Sequence, residues 1–354
     1  MELSYQQKEI VETDARRVVV IASAASGKTA VLVERVKYLL EQGEDPKKIV
    51  LITFTNAAAE ELAERLGHPK GLFIGTIHSY ANYLLLSFGT DTYDLLEKEQ
   101  FDRLFGRIKN NPECIRPVEH LLLDESQDSN QAHFEFLLDM VKPENYMIMG
   151  DHKQSIYRWN GAFPDYILSL SKRPDVVTYD LDENYRNATA ILNFAKNIIR
   201  TAGYDYIDDS TPMRGVTGKV VSDIEYNPHA IAKTFSQMKD GFGEWFVIAR
   251  TNEQVDEIAN ALRVCKIPYD TFKRAQLDNT ELNAKMKENT VKVLTIHAAK
   301  GLEANNVIVV GAKFFNIEEK CISYVAATRA RNNLYWTKAP NKRKSTYGMS
   351  NWEK

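Results

Sequence analysis

The chain has 354 residues, 44% hydrophobic and 26% charged, with 45 Lys plus Arg against 48 acids for a net charge of −3. Such values describe one large or two ordinary globular domains and exclude a disordered or collagen-like chain; no run approaches the ~20 apolar residues of a membrane span. A uniformly basic surface is excluded too, although a local positive groove can still bind nucleic acid on a neutral molecule.

From the N-terminus, short apolar runs alternate with stretches of helical period. Arg17–Ala22, Ile49–Phe54, Leu72–Ile77, His120–Asp124 and Tyr146–Met149 read as buried strands. Lys28–Leu40, Ala57–Leu66 and Asn130–Met140 read as helices between them. The pattern then restarts, with strands at Glu244–Ala249, Val291–Ile296, Asn306–Val310 and Asn333–Thr337 and helices at Gln254–Val264 and Glu318–Ala330. Strands alternating with helices predict a parallel sheet covered on both faces. The restart predicts two such α/β sheets in tandem, joined between Asp175 and Asn187. Lys338–Lys354 is polar and basic and reads as a solvated tail. Cys114, Cys265 and Cys321 stand singly, at no metal-ligand spacing, and the charged N-terminal stretch has no apolar signal core. A reduced, cytoplasmic protein is the expectation.

Two segments carry chemistry. Ala22-Ser-Ala-Ala-Ser-Gly-Lys-Thr29 follows the first strand and opens a helix, which is the setting of a P-loop. There, backbone N–H groups cradle phosphates, Lys28 reaches the β- and γ-phosphates, and the Thr29 hydroxyl binds Mg2+. The second segment, Leu121-Leu-Leu-Asp-Glu125, is an apolar strand ending in two carboxylates. Adjacent side chains at a strand end point apart, so Asp124 can hold the metal while Glu125 faces a water as general base.

With those two segments in register, the remaining motifs resemble superfamily 1 helicases of the UvrD/Rep/PcrA group from about Leu3 to Trp336. They are Leu3-Ser-Tyr-Gln-Gln7, Thr53-Phe-Thr-Asn-Ala-Ala-Ala-Glu60, Gly75-Thr-Ile-His-Ser79, Asp124-Glu-Ser-Gln-Asp128 and Gly150–Ala162. The second half adds Glu183-Asn-Tyr-Arg186, Thr295–Glu303 and Tyr324–Ala330. The resemblance implies two tandem RecA-like P-loop domains. The first, ATP-binding, takes residues 1–79 and 118–183, interrupted by a reduced helical insertion at 80–117. The second takes 184–340, with a vestigial insertion at 269–290, and a basic tail follows at 341–354.

It also implies roles. ATP would lie between the domains, cradled by Ala24, Ala25, Ser26, Gly27, Lys28, Thr29 and Ala30. Gln7 would read the adenine edge, Tyr185 would stack on the ring and Glu303 would bond the ribose. Gln154 would meet the γ-phosphate or the attacking water, and Arg186 and Arg329 would act as arginine fingers from the second domain. Single-stranded DNA would cross both domains, its bases stacked on Phe54, Tyr157 and Trp159. Asn56, His78, Arg158, His297 and Lys300 would touch its phosphates or sugars. Trp159 lies five residues after Gln154, so one loop joins the γ-phosphate to the base stack.

Some positions depart from the family. Ser23 and Ala25 replace P-loop glycines, Ala30 stands where relatives often carry an Arg over the adenine, and Asn160 replaces a common Arg. The stretches Tyr80–His120 and Pro268–Val291 are too short for large accessory domains. The first has room for two helices around Asp94–Ile108 and the second for one at Thr280–Lys287. Compact chains of this shape resemble phage-encoded helicases and the UvrD-like subunit of the Gabija anti-phage system, on Phe73-Ile-Gly-Thr76 and Tyr324–Ala330.

The leading expectation is therefore an ATP-dependent translocase moving 3′→5′ on single-stranded DNA, with the polarity implied by resemblance alone. The alternative is a DNA-dependent ATPase that acts as a sensor or regulatory subunit with a protein partner, without processive unwinding. Nothing argues for an obligate oligomer, so a monomer in isolation is expected. A fused nuclease is not expected, because the stretch after Trp336 is short. Because the motifs hold few Lys or Arg, affinity for a single strand should combine stacking with charge. A plot of log K against log salt should therefore show a moderate slope, and a very steep one would contradict this.

Overall fold

The computed structural model describes residues 2–98, 100–272 and 284–338. The first half forms a six-stranded sheet from β1 (Arg17–Ala22), β2 (Ile49–Thr53), β3 (Phe73–Thr76), β4 (His120–Leu123), β5 (Asn145–Gly150) and β6 (Val177–Leu181). Their order is β3-β2-β4-β5-β1-β6 and every pairing is parallel. Its helices are α1 (Tyr5–Glu12), α2 (Lys28–Glu41), α3 (Asn56–Leu66), α4 (Ile77–Ser87), α5 (Tyr93–Glu97), α6 (Arg103–Asn110), α7 (Gln131–Phe134) and α8 (Asp165–Ser171).

Strand alternation sorts the core into two layers. Val18 and Val20 of β1, Leu122 of β4 and Met147 and Met149 of β5 pack under α1 and α2 with Ile10, Leu32 and Val36. Their neighbours Val19, Leu121, Leu123 and Ile148 point the other way, against Tyr80 and Leu84 of α4 and Phe134 of α7. Burial on both faces is why these strands read as unbroken apolar runs.

The short insertion holds the two helices expected near Asp94–Ile108, α5 and α6. They form no separate body: Leu95, Leu104, Phe105 and Ile108 are buried in the same layer as α4. The helix expected over Asn130–Met140 is α7 continued by a π-helical turn, Glu135–Val141, which stops at Lys142 in the left-handed region.

After β6 come β7 (Glu183–Asn184) and β8 (Thr211–Pro212), a small parallel pair at the junction. The second sheet comprises β9 (Lys219–Ile224), β10 (Trp245–Ala249), β11 (Tyr269–Phe272), β12 (Val291–Thr295), β13 (Ala304–Val310) and β14 (Ala330–Thr337). It is also wholly parallel, in the order β11-β12-β10-β13-β14-β9. Its helices are α9 (Thr189–Arg200), α10 (Pro228–Thr234), α11 (Asn252–Val264) and α12 (Ile317–Ala327). Phe246, Ile248, Val307 and Val309 face α9 and α12. Val247, Ala249, Ile308 and Val310 face α10 and α11. The chain therefore has the fold of tandem RecA-like units, and no helix among the described residues is long and apolar enough to cross a membrane.

Two boundary shifts matter for the site. α12 ends at Ala327, not Ala330, so Arg329 lies in the tight link to β14. β13 begins at Ala304, which places Glu303 immediately before it. The edge strands β6 and β9 are half exposed and present no apolar run. The 269–290 stretch opens with β11; of the helix expected over Thr280–Lys287, residues 280–283 lie outside the described residues and 284–286 are helical, while the basic tail at 341–354 lies outside the described residues.

Gly150, the last residue of β5, lets the loop after β4 close over the sheet. A Cβ there would lie 2.9 Å from Gln127 Oε1 and would overlap Ser126 Oγ. Gly150→Ala should therefore cost about 1–3 kcal/mol by overpacking, read as a lower denaturation midpoint at unchanged slope. An unshifted midpoint would show that the loop yields freely.

Candidate nucleotide and nucleic-acid site

The C-terminal ends of β1, β2 and β4 open into a cleft of about 580 Å3 between the two sheets. The loop after β1 turns through Ala25 (φ +58°) and Gly27 (φ +83°) into α2. Gly27 tolerates that geometry freely, whereas Ala25 carries the strain of a residue with a Cβ, about 1–2 kcal/mol. The turn aims the first-turn N–H groups of α2, which have no acceptors inside the helix, into the cleft. Gln7 fixes this loop from below. Its Nε2 donates to the Ser26 carbonyl at 3.1 Å and its Oε1 accepts from the Ser4 N–H at 3.0 Å. A Cβ on Gly27 would sit 2.6 Å from Gln7 Nε2, so glycine is required there for packing as well as conformation.

Lys28, only 8% exposed, points at the end of β4, where its Nζ is 3.8 Å from Glu125 Oε1. Glu125 adopts φ +49°, held by donation of its N–H to Asp124 Oδ1 at 2.8 Å. The strained turn sends the two carboxylates different ways. Asp124 is buried and forms no ion pair among the described residues; burial and then Glu125 push its pKa up to about 7. Burial works the same way on Glu125, but Lys28 and Lys300 outweigh it and hold that carboxyl below its usual value. A third carboxylate, Asp128, is buried beside them and raised by burial to about 6.

The second sheet contributes the opposite wall. Arg329, 2% exposed, donates to the Val325 carbonyl through Nε at 3.0 Å and to Gln154 Oε1 through Nη2 at 3.1 Å. Burial and then Arg186 lower its pKa to about 9. Arg186 is paired with Glu303, which also holds Arg331. Tyr185 lines the cleft, and its backbone N–H donates to the Ala25 carbonyl at 3.1 Å. Lys300 reaches across from the loop after β12 to pair with Asp128, lies 3.9 Å from Glu125 Oε2 and donates to the Gln154 carbonyl at 3.2 Å.

This geometry accompanies a clear relationship in sequence. The description "UvrD/REP helicase N-terminal domain" matches residues 3–104 and 94–175, and "UvrD-like helicase C-terminal domain" matches 270–341. The chain belongs to the UvrD-like helicase family. It is 25% identical to Gabija protein GajB of Bacillus cereus over 80% of this chain and 67% of that protein. It is 26% identical to DNA helicase II of Haemophilus influenzae over 76% of this chain, a match spanning 51% of that enzyme. A probable DNA helicase of Mycoplasma pneumoniae is 25% identical over 94% of this chain and 82% of its own length.

For a UvrD-like chain, the expected strand-contacting residues are unevenly placed. Phe54 and Tyr157 stack with centroids 5.3 Å apart, and Trp159 meets Tyr157 edge-on at 6.4 Å. Tyr157 is only 9% exposed, whereas Trp159 is 58% exposed, so Trp159 offers the open face. Trp159 and His297 line a groove of about 450 Å3 with Arg250, Thr251 and Asn252. Asn56 is exposed at the start of α3. Arg158 turns inward to Tyr206, 2.5 Å from its hydroxyl, and Asp165 at 3.5 Å. His78 lies apart from the groove, bonded to Asp102 at 3.0 Å and packed on Phe105 and His133. Lys300 sits in the nucleotide cleft with the carboxylates.

Sequence reasoning missed Asp128 as a cleft carboxylate and Arg250-Thr251-Asn252 as a groove wall. A signal existed for the latter: Thr55-Asn56 caps α3 after β2, and Thr251-Asn252 caps α11 after β10 in the same way.

Asp124 yields a test. Its folded pKa lies above the unfolded 3.8, so the folded chain holds the extra proton between about 4 and 7. Stability is therefore lost as pH climbs through that window. Asp124→Asn should stabilise the nucleotide-free chain at pH 8, by up to about 4 kcal/mol for a shift of that size, with the gain shrinking by more than half at pH 5. Denaturation at the two pH values checks this, and an equal effect at both would contradict it.

Proposed function

We propose that this chain is an ATP-dependent motor moving 3′→5′ on single-stranded DNA, with ATP hydrolysed between its two RecA-like domains. The observation that carries the reading is one cleft lined by a phosphate loop and paired carboxylates from the first sheet and by Arg186 and Arg329 from the second. The proposed boundaries are those read from the sequence, a first domain of 1–79 and 118–183 and a second of 184–340.

In this reading Lys28 and the first-turn N–H groups of α2 bind the phosphates, Tyr185 stacks on adenine, and Gln7 sets the loop against the base. Thr29 and Asp124 would hold Mg2+. The buried Asp124, with no cation paired to it among the described residues, fits a hard cation that takes oxygen ligands. When bound, Mg2+ neutralises phosphate charge and orients the γ-phosphoryl group. Glu125 takes the proton of the attacking water, Gln154 positions that water, and the two arginines stabilise the charge that develops. Because the arginines come from the second sheet, hydrolysis is tied to the approach of the two domains. Trp159, backed by Tyr157 and Phe54, stacks on bases, and Asn56, His297 and Arg250 border the strand.

The likeness to a Gabija protein favours a second reading, an ATPase that signals to a protein partner. Stopped-flow translocation on dye-labelled single strands separates the two, since DNA-stimulated ATPase without movement would remove the motor reading. Glu125→Gln should keep nucleotide binding while lowering turnover by about 100-fold or more. Trp159→Ala should weaken single-strand binding by about 1–3 kcal/mol with little change in ATP affinity. A fully active Glu125→Gln enzyme would mean that another group is the base.

A further inference from the structure

His78 belongs to a motif segment expected on the strand, yet it lies apart from the groove at Trp159. Its Nε2 is 3.0 Å from Asp102 Oδ1, its ring stacks on Phe105 with centroids 5.4 Å apart, and His133 meets it edge-on at 5.0 Å. The three residues come from different elements. His78 is in the first turn of α4, Asp102 precedes α6 in the insertion, and His133 lies in α7. One metal-ligating atom of each lies within 4.8 Å of the other two.

His133 is the member whose surroundings do not satisfy it. It is 7% exposed, and its Nε2 is buried without a hydrogen-bond partner. Nδ1 accepts from the Asn130 N–H at 3.3 Å, a long bond, which leaves the ring proton on Nε2 facing no acceptor. A buried donor left in this state is costly. Burial and then His78 lower the pKa of His133 to about 4, so the ring is neutral near pH 7 and has a lone pair to give.

Two imidazoles and a carboxylate are ligands that suit Zn2+, whereas Mg2+ takes oxygen. Bonds of about 2.0–2.2 Å at tetrahedral angles set ligand atoms about 3.3–3.5 Å apart. His78 Nε2 and Asp102 Oδ1 are already near that separation, and the Asp102 side chain, 70% exposed, has room to adjust. Phe101 and Phe105 pack against the His78 ring and shield the cluster on its inner side.

We propose that His78, Asp102 and His133 bind Zn2+, with water as the fourth ligand, and that the ion clamps the insertion to the first sheet. His133 coordinates through Nε2. Its ring proton passes to Nδ1 at the expense of the long Asn130 contact, and the unpartnered nitrogen gains the metal. The ion then joins the start of α4, the entry to α6 and α7. This gives a role to a motif histidine that the fold keeps out of the strand groove.

The test is independent of ATP hydrolysis. The full chain is stripped of metal with a chelator and titrated with Co2+ and then Zn2+, with excess Mg2+ present to fill oxygen-rich sites. The unaltered protein should take up Co2+ with the visible absorption of a four-coordinate ion, release it to Zn2+, and melt at a higher temperature with Zn2+ bound. His78→Ala and Asp102→Asn should weaken binding by about 100-fold and remove the melting shift. Asp102 is at the surface, so Asp102→Asn keeps the test decisive even where a histidine substitution disturbs folding. No Zn2+ uptake by the unaltered protein overturns the proposal. So does a Co2+ absorption that survives Asp102→Asn, which would put the metal on thiols or on the cleft carboxylates.

Discussion

The arrangement of this molecule follows from negative charge buried at the end of β4. Asp124, Glu125 and Asp128 lie within one turn of chain, Asp124 and Asp128 buried and the Glu125 side chain 28% exposed at the cleft. Ionised carboxylates so placed are costly unless opposed. Lys28 opposes them from the first sheet and Lys300 from the second. Burial first, and Glu125 after it, raises Asp124 and Asp128, and two ammonium groups against three carboxylates leave a deficit of positive charge. A nucleotide-bound divalent cation next to Asp124 would remove it. Tension between the halves is thus electrostatic before it is mechanical: part of the counter-charge of the first sheet is supplied by the second.

The opposite wall has the inverse imbalance. Arg186 and Arg329 lie close enough for the first to lower the second, yet only Arg186 has a carboxylate, Glu303, as its ion-pair partner among the described residues. Arg329 instead spends its donors on carbonyls, Thr328 and Gln154. A cleft with excess acid on one side and excess guanidinium on the other suits a polyanion carrying its own cation. The same logic explains why a chain of net charge −3 can serve polyanions, since the charge that matters is arranged inside the cleft.

Much of this was legible in the sequence. The interior strands β1, β2, β4, β5, β10, β12 and β13 are buried on both faces and left uninterrupted apolar runs, so they and the helices α2, α3 and α11 were found within a few residues. The edge strands β6 and β9 left no such runs, whereas α9 was overlooked although Ile191, Leu192, Ala195, Ile198 and Ile199 recur at helical spacing. The cleft residues were legible because a phosphate loop and a carboxylate-ended strand have local spacings fixed by their chemistry. The partners of those residues were not. That Lys300 meets Asp128, that Glu303 restrains Arg186 and that Arg158 turns to Tyr206 are consequences of how the two sheets approach, which no local spacing encodes.

The shortened insertion follows from the same packing. In place of a separate helical body, α5 and α6 bury Leu95, Leu104, Phe105 and Ile108 in the layer that also holds α4 and Phe134. An element that shares its core with the first sheet moves with it. His78, at the start of α4, is bonded to Asp102 just before α6, which ties the insertion to the motif segment that follows β3. Such a body can add rigid surface beside the strand, but it cannot swing independently of the cleft. At the boundary between the two sheets the buried pair Lys300–Asp128 joins the halves, so their approach depends on charge as well as on shared apolar side chains.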